Sequence, residues 1–264
     1  MRRLVVCADD FGRSLAVNEA VERGFRDGIT TCASLMVASP AAADAAARAK
    51  RLGLPVGLHV VLVEGAPVLP AARVPNLVGR DGSFLDDEVR AAIRFFFRPG
   101  ARGQLTAEIR AQFDAFRETG LALDHVNGHK HVQVHPTVGR LIAEIGREYG
   151  MQAMRLPYEP AAVLRRAFPG ETYRPPAYGF AVAALRRRLR RAGVTANDRV
   201  FGIAWSGAMV ERRVLALLPH LPDGLSEIYS HPGQGAGELE ALLSPAVRAR
   251  IAELGIGLTS YAAL

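Results

Sequence analysis

Short apolar runs alternate with amphipathic helical stretches from one end of the chain to the other. Residues 3–8, 30–37, 55–62, 121–126, 152–156, 200–205, 226–230 and 256–260 read as buried strands. Between them, residues 14–27, 40–51, 85–118, 136–149, 178–192, 210–217 and 238–254 carry apolar side chains at helical spacing. Strands separated by helices pair in parallel, because a parallel neighbour needs a long crossover. Seven or eight such units in 264 residues predict an α/β fold, a single irregular (β/α) barrel spanning residues 1–264 as one domain. An open dinucleotide-binding sheet is excluded after the first strand, where Asp9-Asp10-Phe11-Gly12 replaces a glycine-rich fingerprint. The proline-rich stretch 157–176 reads as irregular.

Composition narrows the classes further. Charged residues make up 22% of the chain and hydrophobic residues 49%, a globular balance that argues against disorder. Cys7 and Cys32 are the only cysteines, too few for a disulfide scaffold or a multi-thiolate metal site. No apolar run approaches the roughly 18 residues of a membrane span, and the first run is too short for a signal-peptide core. A cytoplasmic protein is expected. Between residues 163 and 199 nine arginines face two acids, so this segment alone carries the net charge of +7. The rest of the chain is neutral.

Unusual polar residues fall at the predicted strand ends. Asp9 and Asp10 close the first strand, His59 lies in Gly57-Leu58-His59, and His125 follows Asp124. Arg155 sits late in its strand, and His231 precedes Pro232-Gly233. In a (β/α) barrel these ends converge on one face. Two adjacent carboxylates beside an apolar strand are costly unless a cation or hydrogen bonds compensate them; a helix cap plus one solvated acid is the plainer alternative. His125, His129, His131 and His135 crowd one segment. With His59 and an aspartate, they can supply an Asp/His/His set for Zn²⁺ or another divalent ion. His231 reads as a proton donor or a turn residue. Arg155 reads as a carboxylate clamp, a substrate contact or a buried ion pair. Trp205 and Tyr229 read as sugar-stacking rings or core.

These motifs, in this order, resemble the YdjC-like carbohydrate deacetylases over nearly the whole chain. Residues 95–99 (Phe-Phe-Phe-Arg-Pro), 158–164 and 205–209 resemble the hopanoid biosynthesis-associated branch, HpnK, in particular. The resemblance implies a (β/α) barrel that hydrolyses an N-acetyl group from an amino sugar. Carried over position by position, Asp10, His59 and His129 hold the metal, with Zn or Mg expected. Asp9 is then the base and His231 the acid. His125 and His131 are left as substrate-side or supporting groups, because Lys130 stands where the family often has a histidine. The implied substrate is an N-acetylglucosaminyl hopanoid lipid, with deacetylation of soluble N-acetylated oligosaccharides as the alternative. In residues 178–192, Tyr178, Ala181, Val182, Leu185, Leu189 and Ala192 share one helical face among arginines. This reads either as a peripheral contact with anionic membrane or as a solvated basic face. Nucleic acid is not expected as a partner, and a homodimer is left open. An Asp/His/His iron enzyme and a non-enzymatic binding protein are the rival readings.

Overall fold

A computed structural model describes residues 1–173, 178–235 and 237–264. Strands β1 (Arg2–Phe11), β2 (Cys32–Leu35), β3 (Val56–Val60), β4 (Leu123–Gly128), β5 (Arg199–Phe201), β6 (Gly224–Ser230) and β7 (Gly257–Leu258) make one sheet. Every pairing is parallel, in the order β4-β3-β2-β1-β6-β5, with β7 on the early part of β1. The sheet curls into a half-barrel jacketed by helices. The expected strand at 152–156 forms only isolated bridges, to Val126 on one side and Thr195 on the other. Beyond it, Asn197 bonds both backbone groups of Leu156, and Val200 N–H reaches Tyr158. That stretch therefore spans the open side of the barrel by single contacts.

The outer helices are α1 (Leu15–Asp27), α2 (Ala42–Leu52), α3 (Glu88–Phe97), α4 (Ala101–Glu118), α5 (Pro136–Glu148), α6 (Ala161–Ala167), α7 (Gly179–Ala192), α8 (Glu211–Leu217), α9 (Glu238–Leu243) and α10 (Pro245–Glu253). Two departures from the sequence reading have local causes. Helix α6 forms where the prolines suggested irregular chain, because Pro160 stands just ahead of its first turn and leaves the helix interior free. The expected helix over 238–254 is two helices, since Pro245 cannot continue α9; Ser244 ends it and caps Val247 N–H of α10. Arg174, Pro175 and Pro176, part of the basic and proline-rich readings, lie outside the described residues.

Side chains two apart in a strand share a face. Val5 and Cys7 of β1, Cys32 of β2 and Leu225 and Tyr229 of β6 meet in one interior cluster. Asp9, Ser34, His59, Asn127 and Glu227 continue that interior parity toward the carboxyl ends of their strands. Leu4 and Val6 face the other way, into the helical layer with Leu217, Leu242 and Ile251. The tight lining needs Gly57, where an added Cβ would lie 2.6 Å from the His125 ring. Helix α7 turns Val182, Leu185 and Leu189 into the core, so the apolar stripe read from sequence is buried. What α7 offers outward is its arginines and Phe180.

Candidate active site

A cavity of about 580 Å³ opens at the carboxyl ends of β1, β3, β4 and β6. Asp9, Asp10, His59, His129, His131, Tyr229 and His231 all line it. The alternation of β1 would send Asp9 and Asp10 to opposite faces. A register shift against β2 and a left-handed backbone at Asp10 (φ 61°) turn the second carboxylate into the same space. Among the described residues, the non-glycine positions with positive φ are Asp10, Glu64, Lys130 and His131, and all four line this cavity. Such conformations cost about 1–3 kcal/mol each and persist only where surrounding structure imposes them.

Asp10 Oδ1 lies 3.1 Å from His59 Nε2 and 3.0 Å from His129 Nδ1. Its Oδ2 accepts from Arg13 and from Gln234 Nε2 at 2.9 Å. His59 Nδ1 donates to Asn127 Oδ1 at 2.6 Å, because the Asn127 amide nitrogen is committed to Asp9 and Ser34. That second contact fixes His59 with its Nε2 lone pair aimed at a carboxylate oxygen. The two imidazole nitrogens are themselves 3.4 Å apart. Lone pairs facing one another so closely require a shared cation, a proton in its absence or a metal ion. The donor set of one carboxylate and two imidazoles fits a divalent ion with open positions. Burial opposes charge on both partners, yet the two histidines hold the Asp10 carboxyl far below its usual range and Asp10 raises His59.

Asp9 is held differently. Its Oδ1 accepts from Ser34 at 2.7 Å, from Asn127 at 3.2 Å and from Arg155 at 2.8 Å, and its Oδ2 accepts from Arg155 at 2.5 Å. Arg155 is wholly buried and also donates to Glu227, whose other oxygen accepts from Tyr261. Burial would raise the Asp9 pKa, but Arg155 drives it far below the ordinary carboxylate value. Asp9 is therefore ionised and immobile.

Three predicted contacts lie elsewhere. Arg155 does not line the cavity, because both sides of its guanidinium are taken by Asp9 and Glu227; its upper contact is the Tyr229 ring, 4.9 Å away. His125 is buried below, bonded to Asp124 at 2.8 Å and packed on Tyr261. Trp205 is not in the lining either, since its Nε1 donates to Glu171 and its ring meets Phe168 and Arg213. Tyr229 and His131 stay at the site, 3.3 Å apart through the phenol oxygen and Nε2. Burial, with help from Arg155, pushes His131 down to about 3, so it is neutral. His231 follows β6, and Gly233 (φ 85°) lets its turn pass close over α1.

Several functional groups escaped the sequence reading. Ser34 and Asn127 orient the Asp9 and His59 side chains. Glu159 accepts from the backbone of Gly202, Ile203 and Ala204, and Glu238 from Met209 and His231, so buried acids hold the loops that wall the cavity. The available signal was, for Glu159, a lone acid among apolar residues, which does not say which loop it holds.

Comparison with known proteins identifies the relatives of this chain. A family model described as YdjC-like protein matches residues 3–253. A human protein named carbohydrate deacetylase is 33% identical, over 97% of this chain and 89% of its own. One from Geobacillus stearothermophilus with the same name is 31% identical, over 98% and 97%. A crystal structure from Enterococcus faecalis, named for a suspected role in cellobiose-phosphate cleavage, superposes with a TM-score of 0.78. It covers 98% of this chain and 97% of its own at 22% identity, a likeness of fold. With sequence match, fold and strand-end motifs in agreement along the same residues, the chain belongs to the YdjC-like family.

Proposed function

We propose that this carbohydrate deacetylase hydrolyses the N-acetyl group of an N-acetylglucosamine unit, with a divalent ion held by Asp10, His59 and His129. The observation that carries the reading is the pair of neighbouring carboxylates, one directed at two imidazole nitrogens and the other locked by Arg155. The chemistry such an ion supplies when bound is Lewis-acid activation of water and of the acetyl carbonyl.

The chain's own groups do the rest. Asp9 takes the proton of the attacking water, and Arg155, Ser34 and Asn127 keep its carboxylate aimed while this happens. Such a carboxylate is a weak base, so its advantage is placement, and it suits water that is already acidified. His231, which follows β6, the strand beside β1, and lines the same cavity, gives its proton to the departing amine. Tyr229 and neutral His131 present a ring face and a hydrogen-bonding edge to the sugar. The described residues include no helix long and apolar enough to cross a membrane. Likeness to the hopanoid-associated branch supports a hopanoid lipid as carrier of the sugar, and the outward arginines and Phe180 of α7 suit a peripheral approach to anionic membrane.

Acetate release from an N-acetylglucosaminyl lipid, measured with added divalent metal and with chelator, tests the reading. Metal-dependent release is expected. Release unchanged by exhaustive chelation would refute the metal-dependent mechanism, and iron-dependent oxygen consumption without acetate would favour the iron enzyme.

A further inference from the structure

Beside the polar cavity lies a second cleft, of about 480 Å³, between α3 and the start of α7. Its walls include Val89, Ala92, Ile93, Phe96, Val132 and Ala181, with the His135 ring against Phe96. The two spaces share a sill made of Glu88, Lys130, His131 and Tyr178. Lys130 pairs with Glu64 at 3.1 Å and approaches Glu88 at 3.8 Å, so the change from polar to apolar lining happens across one side chain.

Helix α3 is the anomaly. It buries Ala91 and Phe95 against the barrel, which is all that packing one face requires. Yet Val89, Ile93, Phe96 and Phe97 stand 69%, 53%, 55% and 79% exposed on the same ten-residue helix. Contiguous exposed apolar surface of this kind marks a binding site in a soluble protein. At the sill, His131 Nδ1 is buried and has no hydrogen-bond partner, although Nε2 faces Tyr229. An unpaired buried nitrogen at the border calls for a polar atom from a ligand that crosses it.

We infer that this cleft binds the apolar aglycone of the substrate, an alkyl or polycyclic group attached to the sugar whose acetamide sits in the polar cavity. The inference rests on the deacetylase reading for the sugar and adds where the group attached to the sugar is held and which residues hold it. Continuity with the catalytic cavity selects this occupant: a partner helix or a second copy would have no reason to meet a polar sill with an unpaired imidazole. The volume suits one ligand portion, since ligand sites run from roughly 300 to 1,000 Å³.

The test compares methyl and octyl N-acetyl-β-glucosaminide, the latter below its micelle concentration, by calorimetry and by acetate release. Each buried methylene contributes about fourfold in affinity, so three or four of them make the octyl glycoside bind on the order of a hundredfold tighter. Ile93→Asn strips the cleft wall and Ala92→Phe fills the cleft. Both are expected to erase the octyl preference and leave methyl glycoside turnover unchanged. Equal dissociation constants for the two glycosides, or a preference that survives both variants, would overturn the inference while leaving the deacetylase reading intact. Vesicle binding that both variants abolish, with no octyl preference, would make the surface a membrane contact and overturn it too. Variant-sensitive octyl binding without acetate release from either glycoside would uphold the cleft and sink the deacetylase reading.

Discussion

Asp9 and Asp10 are neighbours in one strand, equally buried, and their surroundings have almost nothing in common. Asp9 faces donors only: one hydroxyl, one thiol, one amide and two nitrogens of a guanidinium. Asp10 shares its inner oxygen with two imidazoles whose protonation is conditional. A carboxylate saturated by permanent donors stays ionised and in place until a reacting water meets it. One shared with exchangeable donors is a site that a cation can take over. The bulge at the end of β1 brings the two kinds together.

The largest effects should come from exchanging the two roles' chemistry. Asp9→Asn keeps the acceptor for Ser34 but removes the base, and turnover is expected to fall by about 10²–10⁴ with metal content retained. His129→Ala should instead lower the metal content, measured by atomic emission after dialysis. Loss of metal from the Asp9 variant, or full occupancy in the His129 variant, would break the distinction between the carboxylates.

Next is the support beneath Asp9. Arg155→Met leaves two buried carboxylates, Asp9 and Glu227, without their cation, and should cost about 3–5 kcal/mol in urea unfolding. A cost under 1 kcal/mol would mean that the floor is not the fixed charge network described. Asn127 connects the two sides, accepting from His59 and donating to Asp9. Asn127→Ala frees the His59 ring and is expected to weaken metal affinity by about 10–100-fold, read by competition with a chromophoric chelator. Unchanged affinity would separate the sides that the amide joins.

How much of this was readable beforehand differs between the same two regions. The Asp10 side was legible as a class of site, because an aspartate pair and clustered histidines stood near strand ends; which three come together, Asp10, His59 and His129, was implied only by the family resemblance. The strand order was not, since hydrogen-bonded neighbours such as β1 and β6 are more than 200 residues apart. The Asp9 side was half legible. An arginine in an apolar strand announces a buried partner, but three roles were open to Arg155 and only the closed barrel brings Asp9 and Glu227 to it. Trp205 shows the converse: a tryptophan near a strand end suits a sugar, and tertiary packing turned it to Glu171 and Phe168. The stripe on α7 left two readings open for a related reason, because an apolar face at helical spacing looks alike whether it meets a bilayer or α5, and here Val182, Leu185 and Leu189 pack into the core.

The smallest predicted effect sharpens the comparison at its base, below both carboxylates, where Asp124 pairs with His125. Burial opposes the imidazolium, yet Cys7 and Asp124 raise the His125 pKa to about 10. Its unfolded value is near 6.5, so the folded state binds the proton more tightly. The contribution to stability is therefore complete below about pH 6.5 and is lost as pH rises through the folded value. Urea unfolding between pH 6.5 and 8, beneath the range where unfolded cysteines titrate, should show stability falling by at most about 1.4 kcal/mol per pH unit. Asp124→Asn keeps the acceptor for Ala262 N–H and removes the charge, so the slope should flatten. A slope that persists in the variant would assign the pH dependence to another group. A slope absent from the native protein would mean that His125 is neutral, leaving Arg155 as the interior's only permanent cation among the described residues.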